Sequence, residues 1–246
     1  MQRKNLTVSI IILISFLPLL LKGQAPEIKS KVKSPLKQRI TAHAGRCIPR
    51  YDFGDTDNSN SRSMYALAGT TLGLSYAFSL VENIGMTFKV SNSSYSFDEN
   101  AFGRNISAGS GTTFIAEADN YNILDLTIGV RGAIPFGATK KARLFFNPYI
   151  GRSTFSKFRI ESTQIYTTWT VTEQYKEKYH SLTLGGTFGI EYQLSDLISV
   201  GAFGNYTGTT FEDTELQVKA SGFYEEYKGN INYSSFSLGV EFGVNF

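Results

Sequence analysis

Apolar and polar residues alternate one for one along much of the chain after residue 60, a period that sends successive side chains to opposite faces of an extended strand. The last thirteen residues show it most plainly. Phe236, Leu238, Val240, Phe242, Val244 and Phe246 are apolar, with Ser237, Gly239, Glu241, Gly243 and Asn245 between them. The same rhythm predicts strands over 63–78 (Leu72, Leu74, Tyr76, Phe78), 84–97 (Ile84, Met86, Phe88, Val90) and 120–134 (Leu124, Leu126, Ile128, Val130). It recurs over 143–157 (Leu144, Phe146, Ile150), 178–193 (Leu182, Leu184, Phe188, Ile190, Tyr192), 197–211 (Ile198, Val200, Ala202, Tyr206) and 231–246. No stretch after residue 26 shows the 3.6-residue period of an amphipathic helix.

The connections alternate too. Residues 79–83, 135–142 and 194–196 are short, whereas 98–119, 158–177 and 212–230 are long and polar. Short turns at one end and long loops at the other is the layout of a transmembrane barrel. The stretches YAFSLVENIGMTF and YQLSDLISVGAF are alike, as hairpins repeated around a barrel would be. With both ends of the barrel on the short-turn side the strand number is even, so an eighth strand is expected. The segment 38–48 supplies it, with Ile40, Ala42 and Ala44 alternating against Thr41, His43 and Gly45. Seven strands left open would show lipid two edges of unpaired backbone groups, at several kcal/mol each.

Alternation alone fits both a soluble barrel with an apolar interior and a membrane barrel with an apolar exterior. Two features favour the second. The polar face carries Gly and Ser, as a narrow eight-stranded interior requires, rather than the Lys and Glu of a water-facing surface. Aromatic residues also gather at the strand ends: Tyr76, Phe78, Phe136, Tyr192 and Phe246 at the short turns, and Tyr95, Phe97, Tyr121, Phe155, Phe158, Tyr179, Tyr206 and Phe211 at the long loops. Such rings are expected to form belts at the two membrane surfaces.

At the other end of the chain, Arg3 and Lys4 precede a largely apolar run from Leu6 to Leu21, followed by Lys22-Gly23-Gln24-Ala25. That is the order of a secretory signal peptide. The alternative, an anchor helix, needs about 20 residues, and this run is both shorter and interrupted by Pro18. The expected organisation is a signal peptide over 1–25, a basic periplasmic segment over 26–37 and the barrel over 38–246. The leader holds three of the 24 bases and none of the 21 acids, so the remainder is formally neutral. Within it Lys29, Lys31, Lys33, Lys37, Arg39, Arg46 and Arg50 face only Glu27 over 26–50. The overall charge therefore gives no signal for nucleic acid. Cys47, the single cysteine, forms no internal disulfide and lies too far from the leader to be a lipid-attachment site.

The leader, the alternating segments and the terminal pattern Val240, Phe242, Val244, Phe246 make residues 38–246 resemble the small outer-membrane β-barrel family of Gram-negative bacteria, the group of outer membrane protein X and the OmpA membrane domain. The terminal residues are similar to that class's assembly signal. The resemblance implies an all-β, eight-stranded antiparallel transmembrane β-barrel with short periplasmic turns and long extracellular loops. It also implies location in outer-membrane lipid, reached with periplasmic chaperones and inserted by the barrel-assembly machinery. It implies no activity and no cofactor, and with no peptidoglycan-binding domain after the barrel no wall-anchoring role is expected.

Four inward charges, Arg131, Arg143, Glu191 and Glu241, fall in the lower, periplasmic part of the lumen. An unpaired buried charge is very costly, so they are expected to pair as a plug, with Asp125 and Lys89 extending it upward. A register shifted by one residue would instead leave some of them in interface water. Eight strands leave room only for side chains, so conduction is expected to be poor. Catalytic candidates are few. His180 stands beside Ser181 with Glu173 and Glu177 upstream, and His43 lies on the first strand. Neighbours on a strand point to opposite faces, so the Ser–His contact of a lipid A or phospholipid hydrolase is not expected. The stretch Asp55 to Asn60 matches a calcium loop poorly, since Asn60 stands where its turn glycine belongs and Ala66 where its bidentate Glu belongs. No metal or nucleotide motif is present.

The long segments QIYTTWTVTEQY and TELQVKASGFYEEYKGNINY are rich in Thr, Tyr and β-branched residues, which predicts hairpins protruding beyond the membrane. Tyr166, Trp169, Tyr175, Phe223, Tyr224 and Tyr227 would supply rigid aromatic contacts there. Glu212, Asp213, Glu215, Glu225 and Glu226 would be solvated or meet cations or basic partners. The expected role is structural or surface-interacting, by adhesion or binding of an unidentified extracellular ligand. The alternatives are a small pore or transport accessory, then a lipid-modifying enzyme.

Overall fold

In the computed structural model the described residues are 38–57, 63–165, 169–175, 177–220 and 222–246. The expected signal peptide, the basic segment 26–37, Tyr166 and the end of the Asp55–Asn60 stretch lie outside them. Eleven strands form one sheet: β1 Gln38–Pro49, β2 Gly69–Val81, β3 Ile84–Tyr95, β4 Phe114–Ala118, β5 Tyr121–Phe136, β6 Ala142–Phe155, β7 Phe158–Gln164, β8 Thr170–Tyr175, β9 Tyr179–Gln193, β10 Ile198–Ala220 and β11 Phe223–Asn245. Eight of these close a ring in the order β1, β2, β3, β5, β6, β9, β10, β11, with antiparallel pairing at every seam. The eighth strand over 38–48 is therefore present. It seals the ring by pairing Arg39 with Asn245 at one end and Pro49 with Ser235 at the other.

The faces divide as a membrane barrel requires. Leu126, Ile190 and Val240 stand outward at 48%, 50% and 65% exposure, as do Leu72, Leu74, Phe88, Leu182 and Phe188. Thr87, Ser91, Thr127, Asn147, Ser153, Thr187 and Asn205 are buried inside. A wall of exposed apolar side chains around a polar interior is stable only with hydrocarbon outside it. Two of the three short turns are shorter than the sequence pattern implies, and the third is one residue longer. The β2–β3 turn is Glu82–Asn83, the β5–β6 turn spans 137–141 with Gly137 at φ 78°, and the β9–β10 turn spans 194–197.

The long-loop end holds more order than the pattern predicted. Strands β10 and β11 each run 23 residues, against the 9–11 that cross a bilayer, so about half of each projects beyond it. A register shift between Phe211 and Thr214 marks the departure, with Asp213 at φ 52°. A bulge of this kind bends and re-aims the strand. The projecting part of β10 pairs with β8, β8 with β7 and β7 with β4, so the upper sheet is β11–β10–β8–β7–β4.

One element overturns the reading of no helix after residue 26. Helix α1 spans Glu99–Ser110. Its ENAFGRNISAGS sequence buries only Ala101 and Gly103, too little apolar surface to leave a periodic trace. It is defined by its ends instead. Asp98 accepts a hydrogen bond from the Ala101 N–H at 2.9 Å, and Gly111 closes the helix at φ 69°, donating to Ser107 O. The helix covers the outer edge of β4. Phe114 N–H donates to Ser107 Oγ at 2.8 Å and Ala118 N–H to Glu99 Oε1 at 3.0 Å. Edge amides that would otherwise template another chain are thus occupied. Asp98→Ala is expected to cost about 1 kcal/mol and to speed hydrogen exchange at Phe114 and Ala118, leaving barrel amides unchanged.

A second correction concerns residues 63–68, read as the start of a strand. Met64, Tyr65 and Ala66 are buried in succession rather than alternately, because they form an inner lid over the barrel mouth. Met64 N–H donates to Asp52 O and Asp98 N–H to Tyr65 O.

Candidate functional site

The lower lumen is filled by charge. Glu191 of β9 and Glu241 of β11 have side chains only 5% and 6% exposed, so their carboxylates depend on protein partners. Arg131 of β5 donates through Nη2 to Glu191 Oε2 at 2.6 Å and to Glu241 Oε1 at 3.5 Å, and its guanidinium lies 3.8 Å from the Phe145 ring centre. Arg143 of β6 is at the rim, 39% exposed, 3.7 Å from Glu191 Oε1 and 3.5 Å from Gln193 Oε1. The four charges singled out in the sequence thus meet.

Arg39 of β1 was not among them, although it joins the cluster. It donates to Glu191 through Nη1 and to Glu241 Oε1 through Nη2 at 3.2 Å. Gly243 makes room for it, since a Cβ there would stand 2.5 Å from Arg39 Nε. The signal was present in the strand's parity: Arg39 shares its face with Thr41 and His43, both buried. Reading it as part of the basic N-terminal run concealed that. Asp125 and Lys89 do not pair with each other. Asp125 accepts from Ser153 Oγ, and Lys89 donates to Asn205 Oδ1 at 3.4 Å with its ammonium 5.6 Å from the Tyr149 ring centre. They belong to a polar tier above the ion cluster, in which Tyr149 OH lies 3.1 Å from Asn205 Oδ1 and Thr187 Oγ1 donates to Asn205 Oδ1 at 2.7 Å.

The mouth is closed by aromatic rings rather than ringed by them. Of the residues expected in the outer belt, Tyr95, Phe97, Tyr121, Phe155, Phe158 and Phe211 are buried inside, whereas Tyr206 faces outward. Parity explains this as well: Tyr95 continues the inward row of Ser91 and Ser93, and Tyr121 and Ile123 that of Asp125 and Thr127. Into this ring the short 3-10 turn Tyr51–Phe53 inserts Phe53, fully buried. Its ring centre is 5.0 Å from that of Tyr95, 5.1 Å from Tyr233 and 5.4 Å from Tyr121. Tyr95 and Tyr233 share a hydroxyl hydrogen bond of 3.0 Å, Tyr121 OH donates to Met64 O at 2.7 Å, and Tyr121 stacks on Phe158 at 3.9 Å. The free thiol of Cys47 is buried in the same cluster.

Above the mouth, β1 stops at Pro49 opposite Ser235 while β11 continues upward. Among the described residues the segment Phe223–Asn230 is therefore an exposed sheet edge, paired only with β10. Phe223, Tyr224 and Tyr227 are 48%, 52% and 51% exposed. Tyr224 and Tyr227 donate to Glu226 and Glu225, and Lys228 pairs with Glu215 at 2.9 Å, which holds the lysine above its usual range. Trp169 is also exposed, its ring against Phe114. Tyr175 is not a surface contact: it packs edge-on to Phe155 and Tyr179.

His180 and Ser181 stand on opposite faces. His180 Nδ1 is 2.9 Å from Thr154 Oγ1, and Ser181 Oγ donates to Thr210 O. Among the described residues no group of three or more His, Cys, Asp or Glu is placed to hold a metal. Phe242, Val244 and Phe246 lie on the outer wall at the short-turn end, with the Phe246 and Gln38 backbones exchanging two 2.9 Å hydrogen bonds.

No protein-family model and no curated protein matches the chain. Solved structures do. The outer membrane protein OprG of Pseudomonas aeruginosa aligns at 12% identity over 86% of this chain and 96% of its own, with a TM-score of 0.50. Neisserial surface protein A aligns at 12% identity over 86% and 96%, TM-score 0.45, and Ail, the attachment invasion locus protein of Yersinia pestis, at 14% over 87% and 100%, TM-score 0.45. Closed eight-stranded ring, apolar exterior and polar interior together, the chain has the fold of the small outer-membrane β-barrel proteins.

Proposed function

We propose that this chain is a non-conducting, non-catalytic outer-membrane barrel that presents a recognition edge at the cell surface. The observation that carries this reading is the open strand Phe223–Asn230, with three half-exposed aromatic rings and Glu225 and Glu226 on an edge that no other strand covers among the described residues. At the opposite edge of the same upper sheet, α1 occupies the β4 amides. One edge is protected and the other is left free, the arrangement used to add a partner strand. The acidic pair favours an extended, basic polypeptide as that partner.

The test uses immobilised basic peptides of alternating β-forming sequence and the full chain in detergent micelles. The variant Phe223→Ser/Tyr224→Ser/Tyr227→Ser is expected to keep its heat-modifiable gel migration and lose at least about tenfold in affinity. Equal binding by the variant would overturn the reading. A pore is disfavoured by the ion cluster below and the aromatic closure above. In planar bilayers no stable openings are expected from the unmodified chain, and steady conductance altered by Arg131 or Glu241 substitution would contradict that.

A further inference from the structure

The two faces of the upper sheet differ in charge. Residues directly opposite one another share a face, and on the outer face every cation of the described strand residues is engaged. Lys228 pairs with Glu215 at 2.9 Å, Arg159 pairs with Glu161, and the Lys219 ammonium lies 5.7 Å from the Tyr224 ring centre. The inner face, which looks over the mouth, carries carboxylates and no Lys or Arg among the described strand residues. Glu173 of β8 and Glu225 of β11 stand in one row on either side of Val218. Glu173 is half-buried, and among the described residues it has no hydrogen bond or ion pair; burial holds its carboxyl above the usual range. Glu225 accepts from the Tyr227 hydroxyl and holds that phenol above its usual range, and Glu173 acts on the same phenol.

The free backbone groups have a definite phase. Ser234 and Phe246 turn theirs to β1, and Asn245 to the β10 side. Tyr224, Glu226 and Lys228 share the first phase and direct theirs to the open side. In an antiparallel added strand the residues opposite Phe223, Glu225 and Tyr227 then occupy the pairs without hydrogen bonds, where side chains come closest. A neutral strand laid there would take both inner carboxylates out of water with no counter-charge, which is costly. We propose that the inner face of this edge selects one arginine of the incoming strand, placed opposite Glu225 with its guanidinium laid over Val218 towards Glu173, and apolar residues two positions to either side against Phe223 and Tyr227. The inference rests on strand addition at β11 and adds the side chain that is read. Arginine suits the place because its planar fork serves two carboxylates at once.

Three fluorescein-labelled heptapeptides are the probes: TVTRTVT, with arginine and both valines on one face; the same peptide with citrulline for arginine; and the isomer TVRVTTT, with arginine and the valines on opposite faces. Fluorescence anisotropy with the full chain in detergent micelles is expected to show TVTRTVT binding at least about tenfold tighter than either of the others. In Glu173→Gln that preference over the citrulline peptide is expected to fall to about threefold or less, with the citrulline affinity itself unchanged, whereas a merely structural role would move both. Glu225 is exposed, so Glu225→Gln, for which the same result is expected, decides if Glu173→Gln does not fold. Equal affinity for the arginine and citrulline peptides, both lost in Phe223→Ser/Tyr224→Ser/Tyr227→Ser, would overturn the arginine site and leave strand addition standing. Binding of every peptide no tighter than to that triple variant would overturn both. An arginine preference undiminished in the carboxylate variants would overturn the roles given to Glu173 and Glu225.

Discussion

Glu191→Gln is expected to destabilise the barrel by about 3–5 kcal/mol, the cost of removing one partner from a buried ion cluster. Glu191 is the carboxylate to which Arg39, Arg131 and Arg143 all turn. The amide keeps the volume and an acceptor oxygen but removes the charge, so Arg39 and Arg131 are left to share Glu241. Urea titration of folding into lipid vesicles measures the loss. The double variant Glu191→Gln/Arg131→Met restores the original charge balance and is expected to recover most of it, a coupling that a double-mutant cycle isolates. A single-variant cost within about 1 kcal/mol would show instead that water reaches the cluster and screens it as it does a surface pair.

Phe53→Ala is expected to cost about 3–5 kcal/mol in the same titration. The ring is fully buried among Tyr95, Tyr121 and Tyr233, and it comes from a turn outside the barrel wall. Truncation leaves a void the rigid strands cannot collapse into, while the hydroxyl bonds of Tyr95 and Tyr121 lose the ring that orients them. Phe53→Leu keeps much of the volume and is expected to lose less than about 1.5 kcal/mol. The truncated variant should also exchange the Met64 and Ala66 amides faster, because both bond to the segment that Phe53 anchors. Unchanged stability in Phe53→Ala would mean the lid rests loosely on the mouth.

The ring of eight strands was readable because a strand with lipid on one side and a narrow lumen on the other must alternate strictly, and a slip of one residue would turn Leu126 inward and Asp125 into hydrocarbon. Where the surroundings change, so does the rule. Beyond the membrane the outward side meets water and the inward side a widening mouth, so Tyr121, Phe155 and Phe211 are aromatic because the lumen needs filling there. Their parity with Asp125, Ser153 and Thr207 already carried that, had the inward row been followed to its end. Arg39 was hidden in the same way, behind a run of neighbouring bases. Helix α1 escaped a search for periodicity because covering a strand edge takes backbone acceptors and caps rather than an apolar stripe; Asp98 and Gly111 were its visible marks. The free edge of β11 has no local signature at all, since it exists only because β1 ends at Pro49.

The central claim is which side of each strand meets lipid. Nitroxide labels placed singly at Leu126, Ile190 and Val240, in a Cys47→Ala background and in lipid vesicles, report it through their collisions with dissolved oxygen and with a water-soluble nickel chelate. All three are expected to be open to oxygen and shielded from nickel, as labels in hydrocarbon are. Labels shielded from both reagents, packed in a protein interior, or freely reached by nickel, would contradict the account.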